Sequence, residues 1–184
     1  KLAVLMLAVV GASVAALQAA PYVWVGPTNG NWLTPANWSG TPTFVNDPTN
    51  VGDINSGGTA KDTSGSTFQG RMNINNGGTL VQGGSPTTIG GSLHLNGGTL
   101  IGSAGATFNV TGGISVDANS ALVTGSDYNW TLNAVLSGSG NLAVTNNQPS
   151  NRASFLNVSN SASYGGVMTF GGTGQYYITG KMGG

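Results

Sequence analysis

The chain has no cysteine and no glutamate among its 184 residues. Without cysteine there is no disulfide framework and no thiolate metal site. Charged residues make up 5% of the sequence, against about 25% in an average soluble domain. Five Asp balance five Lys and Arg, so the formal net charge is zero. That excludes a basic stripe able to displace counterions from nucleic acid, and it excludes an acidic solvating tail. Helical spacing of apolar residues is missing after the first twenty positions. With 32 Gly along the chain, an interior helix would lose about 1 kcal/mol at each one. Solubility rests on Ser, Thr, Asn and Gly. The 39% hydrophobic content is regular enough to expect one folded domain rather than a disordered chain.

The first twenty residues read differently. "KLAVLMLAVVGASVAALQAA" runs from one Lys through an apolar stretch to small residues, the order of a secretory signal. Ala16, Ala19 and Ala20 are candidate last residues of the cleaved piece, and a buried helix or an uncleaved anchor is the plainer alternative. Export without disulfides suits a bacterial surface protein. The expected division is 1–20 signal peptide, 21–54 Trp-rich cap with the first strand, and 55–184 repeats. Membrane contact is expected only through the signal.

Residues 21–54 hold three of the four Trp and five of the seven Pro. Trp24, Trp32 and Trp38 would form a packed cluster closing one end of a fold or, if exposed, a platform for carbohydrate. Packing is the favoured reading.

Beyond Ile54 the chain repeats itself. "NSGGTA", "NNGGTL", "LNGGTL", "DANSAL" and "GSGNL" end at Ala60, Leu80, Leu100, Leu122 and Leu142, at intervals of 20, 20, 22 and 20. Upstream lie the triplets Met72-Asn73-Ile74, Leu93-His94-Leu95 and Ile114-Ser115-Val116, and before them Phe68, Ile89, Phe108 or Trp130. Alternation over three to five residues is a strand signature. Strands this short are not stable alone, but each can pair with the next copy of itself. The expected fold is all-β: a β-solenoid, or right-handed parallel β-helix, with 20–22 residues and three strands per rung. Leu80, Leu100 and Leu122 should stack in one interior column, as should Ile74, Leu95 and Val116. The last phrase, "GQYYITGKMGG", reads as an open strand edge, so edge-to-edge self-association is expected.

Several phrases resemble a known family. "VWVGPTNGNWLTPANWSG" followed by "DPTNVGDI" is similar to the opening of bacterial surface proteins with autotransporter-associated β-strand repeats. Trp24, Gly26, Gly30, Trp32, Asn37 and Trp38 carry the match, then Asp47-Pro48 and Asp53-Ile54. "LSGSGNLAVTN" and "FLNVSNSASYGGVMTFGGTG" resemble later phrases of the repeat, although "NNQPSNRAS" interrupts it. The resemblance implies a passenger-type β-solenoid on the outer surface of a bacterium; the chain departs from the family in having no room for the many strands of about 9–11 residues that a membrane barrel needs.

Catalytic signals are sparse. His94, the single His, should point outward in a polar row with Asn73 and Ser115. Asp47, Asp53, Asp62, Asp117 and Asp127 are scattered, and the register puts no two on one rung face; Arg71 and Arg152 are isolated. No catalytic, metal or cofactor site is expected. The leading function is a non-enzymatic surface scaffold or adhesin region, whose partners are a surface glycan or neighbouring domains of a longer chain. The alternatives are a pectin-lyase-like enzyme acting on polysaccharide, and a carbohydrate-binding module using the Trp cluster.

Overall fold

The computed structural model describes residues 21–43, 47–63, 65, 67–83, 86–102, 105–125, 129–149, 152–158 and 163–180. The expected signal segment and Asp127 lie outside them. Among the described residues the chain forms strands and one 3-10 turn, Pro35–Asn37, with no α-helix. All strand ladders are parallel, and the strands stack as a β-solenoid of about 5 turns.

Each turn contributes three short strands to three faces. Face one stacks Val51–Ile54, Arg71–Asn75 and Leu93–Asn96, then the later parts of Thr107–Ala118 and Trp130–Gly138. Face two stacks Gly30–Asn31, Thr59–Asp62, Thr79–Gln82, Thr99–Gly102, Ser120–Thr124, Leu142–Asn146 and Met168–Gly172. Face three stacks Thr67–Phe68 and Thr87–Ile89, the earlier parts of the two long strands, then Ala153–Asn157 and Gln175–Thr179. The long strands turn the corner without a break, so faces one and three form a single 10-stranded sheet beside the 7-stranded sheet of face two.

Alternation decides which side chains enter the core. Ile54, Ile74, Leu95 and Val116 align on face one, and Met72, Leu93, Ile114 and Leu136 form a second interior row there. Ala60, Leu80, Leu100 and Leu122 align on face two. All are buried. Burying one such aliphatic side chain is worth about 1.5–3 kcal/mol, and stacking provides a similar partner above and below each.

Two expected stations shift. Val144, not Leu142, continues the column of Leu122, while Leu142 stands opposite Ser120. On face three, Ile89 aligns with Val110; Phe108 stands opposite Thr87, and Trp130 lies two residues before Leu132, the partner of Phe108. Both are slips of two residues. In a strand a slip of two returns the side chain to the same side, so burial is kept while the partner changes.

The Gly-Gly pair has a two-part cause. The first glycine, at Gly57, Gly77 and Gly97, has φ of 80°, 74° and 86°, the left-handed region that side chains rarely adopt. The second lies close to the preceding rung: a Cβ on Gly78 would collide with the Ile54 carbonyl, and one on Gly98 with the Ile74 side chain and carbonyl. Where Ser120 replaces the second glycine, its hydroxyl accepts from Gly97 N at 3.0 Å and donates to Ala118 O at 2.8 Å.

The Trp segment lies at one end of the stack. Tyr22–Val23 pairs with Val51–Ile54, and Gly30–Asn31 with Thr59–Asp62. Trp24 and Trp38 meet edge to face at 5.2 Å, Trp32 stacks on Phe68 at 5.2 Å, and the Trp38 indole donates to Trp32 O at 2.7 Å. Asn37 ties the turn together: its carbonyl accepts from Val25 N and Gly26 N, and its amide donates to Asn31 O at 2.9 Å. At the other end, Met168–Gly172 and Gln175–Thr179 each pair with one neighbour only, and Phe170, Tyr177 and Ile178 are exposed.

Substituting Gly98 by Ala should destabilise the fold by about 1–3 kcal/mol, the usual range for forced overpacking. Gly125, with nothing within 4 Å of a built Cβ, should accept Ala with little change. Chemical denaturation of the two variants checks this; equal midpoints would contradict the packing described.

Candidate functional site

Face one carries the chain's only His. His94 lies between buried Leu93 and Leu95, and its neighbours across the ladder are Asn73 and Ser115. The row extends through Asp53, whose carboxylate accepts from Asn73 Nδ2 at 2.5 Å, to Ser137 on the far side. Beside it runs a row of amides: Asn75 Nδ2 donates to Asn55 Oδ1 at 2.7 Å, and Asn96 Nδ2 to Asn75 Oδ1 at 3.3 Å.

Asp117 departs from the sequence expectation. The ladder shifts between Val116 and Ala118, leaving Asp117 as the extra residue of a bulge. From there its Oδ2 lies 2.7 Å from His94 Nδ1, and its Oδ1 accepts from Ser115 Oγ at 2.5 Å. Asp53 and Asp117 lie on the same side of the solenoid but three rungs apart, and each bonds a different partner. Burial pushes the Asp117 carboxyl up. The hydrogen bonds from Ser115 and His94, with the charges of His94 and Arg71, outweigh it and hold the group below its ordinary value of 3.8. The arrangement fixes the imidazole through Nδ1, as in an acid–base pair. Ser115 bonds the carboxylate rather than the imidazole, so the trio lacks the Ser–His contact of an activated nucleophile.

The remaining candidates are separated. Asp62 is buried and accepts from Thr87 Oγ1 and from Gly65 N at 3.1 Å. Asp47 accepts from both the hydroxyl and the N–H of Thr49, at 2.6 and 2.9 Å, which lowers its pKa and marks a turn. Among the described residues no three His or Asp side chains gather as a metal would require. Trp24, Trp32 and Trp38 are 6%, 0% and 2% exposed, so the exposure on which the carbohydrate platform depended is not met.

Face three repeats the amide pattern. Asn133 Nδ2 donates to Asn109 Oδ1 at 2.8 Å, Asn157 Nδ2 to Asn133 Oδ1 at 2.7 Å, and Thr179 Oγ1 to Asn157 Oδ1. Inside the corner after face two, polar groups replace the apolar column. Trp130 fills the space that Gly102 leaves, and its indole donates to Gln82 Oε1. Thr124 Oγ1 donates to Asn146 Oδ1 at 3.1 Å and lies 2.8 Å from Ser154 Oγ.

The chain matches no family model, no curated protein and no solved structure. The ladders themselves thus stand as the functional evidence. Several outward side chains on faces one and three bond to their counterparts one rung away: Asp53 with Asn73, Asn55 with Asn75 and Asn75 with Asn96, and Asn109, Asn133 and Asn157 in sequence.

The Asp117 interactions should show in the pH dependence of stability. A carboxyl depressed in the fold stabilises above its unfolded pKa, and that contribution disappears as pH falls through the folded value. Asp117→Asn should lower the melting temperature at pH 7, by at most about 1 kcal/mol in stability because the pair is part-exposed. The difference from the parent should shrink below about pH 4. An equal difference at pH 7 and pH 2.5 would contradict it.

Proposed function

We propose that the chain is a non-catalytic β-solenoid region of an exported bacterial surface protein, serving as a rigid spacer or adhesin region. It is of the type the autotransporter-associated repeats suggest. The observation that carries this reading is the stack itself: each rung supplies the core partners of the next and, along the Asn rows, outer polar partners as well. Such a stack grows by repetition and projects what lies beyond it; about 5 turns add roughly 25 Å. The low charge and the signal-like opening residues agree with export and a chemically quiet surface. The exposed Phe170, Tyr177 and Ile178, with no charged residue from Val167 to Gly180, make the last described rung a pairing edge for another rung or a second copy.

Expression of the whole chain in a bacterial host tests the reading. The expected outcome is an exported protein that has lost about twenty N-terminal residues and releases no products from a panel of polysaccharides. Retention in the cytoplasm with residues 1–20 attached would overturn the export reading. Release of reducing ends or unsaturated sugars, lost in His94→Ala or Asp117→Ala, would overturn the non-catalytic one.

A further inference from the structure

Face two is a ladder of outward Thr at Thr59, Thr79 and Thr99. The ladder changes where the Gly-Gly pair stops. Ala121 and Ala143 take the next two positions, and Thr169 resumes the row. With the shorter Ala side chains there, an open, shallow groove runs between Thr99 and Thr169, which are three rungs apart, and Asn119, Asn141, Ala143 and Thr169 are exposed along it. At about 4.8 Å per rung it runs some 14 Å along the stack. Asn119 and Asn141 stand along one side, in the positions that Gly97 occupies one rung earlier.

The chemistry of the recess is specific. Asn119 Oδ1 accepts from Asn141 N at 3.3 Å, and Asn141 Oδ1 accepts from Val167 N at 3.0 Å. Both carbonyl oxygens are thus used on backbone, which orients both amides and leaves their NH₂ groups as donors. The Thr99 and Thr169 hydroxyls donate or accept. The Ala121 and Ala143 methyls make an apolar floor. None of these six residues is ionisable, so the recess provides nothing to neutralise a charged ligand. A purely apolar ligand would leave the two amide donors to water alone. A ligand with an apolar C–H face and a rim of hydroxyls meets every group.

We propose that this recess binds a neutral glycan along the solenoid axis, through Ala121 and Ala143 below and Asn119, Asn141, Thr99 and Thr169 around it. The site deepens the surface-protein reading by naming the class of its ligand; it depends on the fold and not on export, so the two fail separately. The amides are already oriented by their backbone hydrogen bonds, which lowers the cost of ordering them.

Titration calorimetry of the full chain with linear pentasaccharides of glucose (β-1,4 and α-1,4), of mannose and of galacturonate tests the proposal. At least one neutral pentasaccharide should bind, and galacturonate should not. Ala121→Phe and Ala143→Phe fill the recess and should each weaken binding at least tenfold. Thr99→Val and Thr169→Val keep shape and fold while removing one hydroxyl each, and should weaken it severalfold. Thr88→Phe, on face three, should leave binding unchanged. The proposal is overturned if no neutral sugar binds, if galacturonate alone binds, or if the face-two variants bind as the parent does.

Discussion

One constraint governs the molecule: a rung of about twenty residues cannot bury its own apolar side chains. Apart from the two that run round a corner, its strands are two to five residues long and would not persist alone. Parallel pairing with the next rung supplies both hydrogen bonds and apolar contact, provided that each interior position lies over another interior position. The Gly pairs, the Thr ladder and the Asn rows all serve that requirement. Gly57, Gly77 and Gly97 turn the corner; Gly78 and Gly98 make room for the rung before. Amides stacked one rung apart bond each other, as Asn109, Asn133 and Asn157 do.

The periodic part of this was legible in the sequence. The Gly-Gly-Thr phrase gave the corner, the alternating triplets gave the inward and outward sides, and His94 stands where those two rules put it, between Asn73 and Ser115. The failures have physical sources that alternation does not record. Leu142 and Val144 both face inward, so alternation could not say which of them meets Leu122. Phe108 and Val110 pose the same choice opposite Ile89. Asp117 was missed because a bulge adds a residue between two positions that the pattern treats as continuous. The longer interval before Leu122 was the available signal for that extra length. The place of Trp130 in the space left by Gly102 joins residues 28 apart by number, and no local pattern records it.

The irregularities also mark where chemistry differs from scaffold. Regular rungs satisfy themselves and present little to bind. The bulge sets a carboxylate against His94, and the replacement of Gly-Gly-Thr by Asn119-Ser120-Ala121 and Asn141-Leu142-Ala143 opens a recess with fixed donors. The repeat builds the stack, and its interruptions are the positions at which we propose that a partner is met.

The register on face two is the central claim, and the absence of native cysteine makes it directly measurable. Ala121 and Ala143 lie opposite each other on adjacent strands, a Cα separation of about 5 Å that a disulfide can span. The uniform twenty-residue spacing would instead put Asn141 opposite Ala121. In the structure that pair is offset by two residues, about 8 Å apart and beyond disulfide reach. Under mild oxidation the double variant Ala121→Cys with Ala143→Cys should cross-link within the chain, seen as one faster band without reductant, while Ala121→Cys with Asn141→Cys should stay reduced. Cross-linking of the second pair and not the first would contradict the register.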